Sequence, residues 1–105
     1  MYIGGLDVGT TGCKIAVYDE TGTLFQTYYR EYPAVFSGGA HEIDFDGIRR
    51  GVLELLQQAC REFPLKTLGV TSFGETFVLL DENDAVLAPS MLYTDPRGEE
   101  ECARL

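Results

Sequence analysis

The 105-residue sequence has no tryptophan and one histidine, His41. A lone histidine argues against a Ser-His-Asp nucleophilic centre and against a metal site built from several imidazoles, so His41 reads as a loop residue. Cysteine is almost as sparse. Cys13, Cys60 and Cys102 are odd in number, far apart and without a C-x-x-C pair, which excludes a disulfide framework and a zinc site and suits a reducing cytoplasm. Basic residues are few as well: eight Lys and Arg stand against seventeen Asp and Glu, a net charge of −9 at pH 7. Such a chain repels nucleic acid and anionic membranes, which are therefore not expected as partners. No apolar run approaches the roughly 18 residues of a membrane helix, and the N-terminal apolar stretch is cut by Asp7 and lacks a basic leader. The phosphate-binding patterns G-x-x-x-x-G-K-[ST] and G-x-G-x-x-G are missing, and the clusters Asp44-Phe45-Asp46-Gly47 and Asp81-Glu82-Asn83-Asp84 lack the remainder of a calcium loop.

What is present is enough apolar residue, 45%, for one domain or part of one. Tyr2 to Asp7 and Cys13 to Asp19 are rich in β-branched, aromatic and apolar residues, and Gly9-Thr10-Thr11-Gly12 lies between them as a turn, which predicts a hairpin. A second turn at Glu20-Thr21-Gly22 leads to a third antiparallel strand over Thr23 to Tyr32. Pro33 to Ile43 shows no sustained period and reads as a loop. Ile48, Val52, Leu55, Leu56, Ala59 and Phe63 then recur at helical spacing, with Asp44 or Asp46 as the cap and Pro64 as the stop. Lys66 to Ser72 reads as a short buried strand and Thr76 to Leu87 as a hairpin. At Thr94-Asp95-Pro96-Arg97 a helix start is expected, with Asp95 capping and Pro96 in the first helical position. Arg104-Leu105 follows with no stop signal, so residues 1–105 are expected to be the first part of a longer domain, cut within that helix.

The chemistry lies in Asp7-Val8-Gly9-Thr10-Thr11-Gly12-Cys13-Lys14. Glycines let a backbone approach a phosphate closely, turn amides and the Thr10 and Thr11 hydroxyls donate to its oxygens, and Lys14 adds positive charge. Asp7 repels phosphate directly, so its use is to hold Mg²⁺, through water, beside the terminal phosphates. The plain alternative is a hairpin turn after a solvated strand end.

This segment resembles the first phosphate motif of the actin, hexokinase and Hsp70 superfamily. The later segments Leu68-Gly69-Val70-Thr71-Ser72-Phe73-Gly74-Glu75, Val78-Leu79-Leu80-Asp81 and Leu92-Tyr93-Thr94-Asp95-Pro96-Arg97 resemble, in order and spacing, the FGGY carbohydrate kinases, whose members include glycerol kinase and xylulokinase. The resemblance implies an α/β, ribonuclease H-like domain: a mixed sheet with three antiparallel strands and a crossover helix. It also implies a cytoplasmic, ATP-dependent enzyme passing the γ-phosphate to a hydroxyl of a small sugar or polyol, with ATP and Mg²⁺ as cofactors and a homodimer possible for the full-length parent. Asp7 would orient the metal, Gly9, Thr10 and Thr11 would contact the β and γ phosphates, and Lys14 would offset their charge. Phe73, Gly74, Glu75, Tyr93 and Asp95 would fall on the sugar side. Glu75 could equally be a solvated loop charge, and a helix cap explains Asp95 without any ligand. Gly74 stands where glycerol kinases carry arginine, and the methionine and histidine of xylulokinases are absent from this turn. A pentulose such as xylulose is favoured, with glycerol or gluconate as further candidates. The general base and the second domain are expected beyond residue 105, leaving this piece inactive by itself. The rival reading is a non-kinase ATPase switch sharing the Asp7 to Thr11 pattern.

Overall fold

A computed structural model describes all 105 residues, Met1–Leu105. Strand β1, Tyr2–Val8, and strand β2, Gly12–Asp19, pair antiparallel from Tyr2 opposite Asp19 to Val8 opposite Cys13. Strand β3, Leu24–Glu31, joins β2 antiparallel after a turn in which the Asp19 carboxylate accepts from the Thr21 and Thr23 amides, each at 2.9 Å. The predicted meander is formed, and strand alternation decides which side chains it buries. Cys13, Ile15 and Val17 point into the core while Lys14 and Tyr18 stand on the opposite, exposed face.

Residues 33–43 depart from the expected loop. Ala34–Ser37, β4, and Ala40–Ile43, β5, form a hairpin around Gly38-Gly39, whose φ angles of 59° and 82° suit a two-residue turn of the mirror-image class. This hairpin is only partly covered, so its sequence lacks the apolar alternation of a half-buried strand, and the Gly-Gly pair is its one local signal. His41 thus sits in a strand and not in a loop.

Helix α1, Phe45–Glu62, is capped by Asp44, whose carboxylate accepts from the amides of Asp46 at 3.2 Å and Gly47 at 3.0 Å. Asp46 lies in the first turn, where its charge complements the helix dipole. Ile48, Gly51, Leu55 and Ala59 form the buried stripe against β2 and β3. Gly51 marks the closest approach, since a methyl there would lie 3.3 Å from the Tyr32 ring. The helix ends at Phe63, whose amide still donates to the Ala59 carbonyl at 2.8 Å, just before Pro64.

Strand β6, Leu65–Ser72, returns parallel to β1, completing the order β3-β2-β1-β6. The expectation of a buried strand is overturned: α1 covers β2 and β3, β6 is the sheet edge, and Val70 is 64% exposed. The hairpin expected over 76–87 shrinks to a single bridge between Leu80 and Val86, turned by the Asp81 carboxylate on the amides of Asn83 and Ala85. Ser90–Met91, β7, pairs with β5 to give a second sheet in the order β4-β5-β7. The final helix, α2, Glu99–Cys102, begins after Gly98 at φ 89°, not at Asp95-Pro96. Asp95 still accepts from the Arg97 amide at 2.9 Å, as a cap would, but the helix proper starts only after Gly98.

Candidate active site

β1 and β6 are parallel neighbours that end together, Val8 beside Ser72, and the Phe73 amide extends the pairing by donating to the Val8 carbonyl at 2.9 Å. The Gly9 to Gly12 turn and the Phe73 to Glu75 turn therefore emerge side by side from the C-terminal ends of adjacent parallel strands, where open α/β sheets place their ligand sites.

The first turn is held from behind. Gly9 N–H donates to Gly12 O at 2.9 Å, the Tyr32 phenol donates to Gly9 O, and Tyr32 N–H donates to Thr11 O at 3.2 Å. Two turn carbonyls thus face the core, while the amides of Thr10 and Thr11 find no protein acceptor. That leaves a pair of amide donors free of protein partners, as an anion-binding turn requires. Burial pushes the Tyr32 hydroxyl up to about 12, so it remains a neutral donor. On the open face, Asp7 of β1 lies opposite Lys14 of β2 in register, both exposed, and neither makes a salt bridge. A carboxylate and an ammonium are left free beside the turn.

The second turn carries Gly74, with open space around it, and Glu75, an exposed non-glycine residue at φ 64°. Phe73 is half-buried and turns into a separate apolar hollow of about 250 Å³ shared with Val8, Ile43 and Phe45. The Thr76 hydroxyl donates to the Met91 carbonyl at 3.0 Å, which ties this turn to β7 and so to Tyr93 just beyond it.

Asp95 has no exposed side-chain surface. One of its oxygens accepts from the His41 amide at 2.7 Å, and both accept from the Arg97 guanidinium, which also reaches Glu42 at 2.7 Å. Hydrogen bonding from Arg97 holds the Asp95 carboxyl well below the usual carboxylate range, and the same bonds raise Arg97. This clamp fastens the segment after β7 onto β5.

Between these parts opens a cleft of about 610 Å³. Thr10 and Thr11 form one wall, Tyr32, Phe36 and His41 another, and Leu92, Tyr93 and Thr94 a third. The fold therefore brings two residues of the Gly9 to Gly12 turn, Thr10 and Thr11, and Tyr93 from after β7 to a single cavity. Glu75 and Phe73 belong to the neighbouring turn and do not line it.

A family model described as the N-terminal domain of the FGGY family of carbohydrate kinases matches residues 2–105. The chain belongs to this family. Glycerol kinase of Acinetobacter baylyi is 31% identical over 99% of this chain and 22% of its own length, and gluconokinase of Bacillus subtilis is 28% identical over 93% and 20%. Among solved structures, gluconate kinase from Lactobacillus acidophilus superposes with a TM-score of 0.91 at 24% identity, over 98% of this chain and 22% of that one. Plasmodium falciparum glycerol kinase with ADP superposes at 0.89 with 20% identity, over the same shares. The FGGY domain described above thus has their fold, the expected ribonuclease H-like mixed sheet with its crossover helix. It spans about a fifth of the length of the curated relatives it matches. No helix in it is long and apolar enough to cross a membrane.

Sequence reasoning missed Tyr32, His41 and the Glu42–Arg97 bridge. Tyr32 reads as an ordinary strand residue because its role depends on the register of β3 against the turn. His41 lies 54 positions from Asp95 and Arg97 lies 55 from Glu42, so no local pattern announces those two contacts, although the Asp95–Arg97 pair is itself local.

Proposed function

We propose that the complete protein containing this FGGY domain transfers the γ-phosphate of ATP to a hydroxyl of a small sugar or polyol, with a pentulose such as xylulose favoured and glycerol or gluconate as further candidates. The observation that carries this reading is the shared cleft, lined both by the Thr10-Thr11 turn, whose amides have no protein acceptor, and by Tyr93. Gly9, Thr10 and Thr11 bind the terminal phosphates and Lys14 offsets their charge. Asp7 suits Mg²⁺ on chemical grounds. It is exposed and unpaired, and no cluster of three or more Asp, Glu, His or Cys accompanies it, which fits an ion that keeps most of its waters and shares phosphate oxygens. When bound, that ion neutralises charge on the phosphates.

On the acceptor side, Glu75 at the exposed turn accepts from vicinal hydroxyls, Gly74 leaves room for them, and Tyr93 offers an aromatic wall. Phe73 supports the turn from its apolar hollow, and Asp95 contributes through the clamp that seats Tyr93. The general base comes from chain beyond these residues, since transfer needs groups on both sides of the nucleotide. The enzyme works in the cytoplasm and is compatible with a homodimer. A coupled ADP-release assay of the complete protein across sugars and polyols tests the proposal. Turnover with at least one acceptor, lost in Asp7→Ala, is expected; ATP binding with turnover of none counts against it.

A further inference from the structure

We propose that His41 is a specificity-determining residue of this cleft, its second ring nitrogen reading one hydroxyl of the phosphate acceptor. The inference rests on the kinase reading above and deepens it.

His41 is anchored at four points. Its amide donates to Asp95 Oδ2 at 2.7 Å, its carbonyl accepts from the Leu92 amide at 2.9 Å, and its Nδ1 lies 2.9 Å from Thr94 Oγ1. Phe36 packs edge-on against the imidazole, with ring centroids 4.9 Å apart at 70°. The two backbone contacts belong to the seam between β5 and the segment after β7, whereas the Thr94 contact and the Phe36 packing act on the ring itself. Together they fix the ring on the wall of the cleft that Thr10, Thr11 and Tyr93 also line, while Nε2 makes no hydrogen bond to the protein. Rigid support combined with one ring nitrogen free of protein partners is the arrangement of a preorganised binding group.

The chemistry of that atom names its ligand. With Thr94 donating to Nδ1, Nε2 carries the proton and donates; with the opposite tautomer, Nε2 accepts. A hydroxyl satisfies either state because it both donates and accepts. A hydroxyl is also the group that all the proposed acceptors share, and the cleft lining adds Glu31 but no Lys or Arg.

The test uses the complete protein, its best acceptor, and analogues of that acceptor each lacking one hydroxyl. His41→Ala should raise the acceptor KM about three- to tenfold, the worth of one hydrogen bond, and leave the ATP KM within about twofold. The penalty should vanish for the single analogue that lacks the hydroxyl His41 reads. Thr94→Val, which keeps the backbone anchors, should shift the acceptor KM in the same direction by less. An unchanged acceptor KM, or an equal penalty across all analogues, overturns the inference; if His41→Ala does not fold, an unchanged acceptor KM in Thr94→Val does so. Wild-type protein that turns over no sugar or polyol overturns the kinase reading itself, and this inference with it.

Discussion

Glu75 occupies a left-handed backbone conformation, φ 64°, on an exposed turn with no hydrogen bond from its side chain to hold it there. For a non-glycine residue that geometry costs on the order of 1 kcal/mol, and such strain is kept where a side chain is needed for something other than the fold. Glu75→Gly should therefore stabilise the protein by up to about 1 kcal/mol while raising the acceptor KM. Thermal unfolding and steady-state kinetics on the same variant check the two halves; a loss of stability with an unchanged KM would refute the idea. Gly12 shows the opposite demand. A Cβ there would lie 2.5 Å from both the Arg30 carbonyl oxygen and the Tyr29 hydroxyl, so Gly12→Ala must force β3 away from the Gly9 to Gly12 turn. The expected loss is about 1–3 kcal/mol in denaturant unfolding, and a neutral result would show that the strands separate freely there.

At the scale of elements, the clamp joining β5 to the segment after β7 depends on one ionised carboxylate. The carboxyl of Asp95 titrates below its ordinary 3.8 in the folded chain, so the clamp stabilises the fold above about pH 4 and weakens as pH falls through and below that value. The difference in unfolding midpoint between wild type and Asp95→Asn should accordingly shrink from pH 6 to pH 3, roughly the window set by an unfolded carboxyl near 4. A constant difference would mean that the carboxylate charge is not what fastens the two segments. The opposite sign applies where β3 meets α1. The Tyr28 hydroxyl, buried and donating to Glu62 at 2.7 Å, is pushed up to about 12, as is Tyr32 behind the phosphate turn. Both phenols stay neutral in the fold after they would ionise in the unfolded chain, so stability is fully present below about pH 10 and is lost as pH rises toward 12. Tyr28→Phe should flatten that alkaline decline in a series of thermal melts.

As a whole molecule the chain is open. Its radius of gyration is 16.8 Å, against roughly 13 Å for a compact domain of this length, and only 15 of 105 residues are buried. Leu68, Val70, Phe77, Leu79 and Leu87 stand exposed along the β6 edge and the segment after it. An uncovered strand with apolar neighbours pairs readily, so the isolated chain should self-associate at high micromolar concentration, and Val70→Lys should shift it toward monomer in sedimentation velocity. Unchanged association in that variant would place the contact elsewhere. The cleft is open on the same scale. With phosphate donors on one side only, the isolated chain should bind ATP weakly in calorimetry, and micromolar affinity would show that this wall suffices.

Local chemistry alone determined the three-stranded meander, the Gly9 to Gly12 turn and the long helix. Strand alternation, the glycine and hydroxyl pattern of residues 9–12, and the Asp44 cap act over a few neighbouring residues and leave their mark in sequence. The β4–β5 hairpin was written only in Gly38-Gly39, because a partly covered pair of strands has no buried face to impose a period. What tertiary structure decided was exposure and partnership. β6 is apolar enough to read as buried, yet nothing covers its outer side; Asp95 accepts from the Arg97 amide as a cap would, yet its other oxygen is also held by the distant His41 amide. Those outcomes depend on which distant segments meet, and contact between residues some 55 positions apart is settled by chain packing rather than by any local propensity.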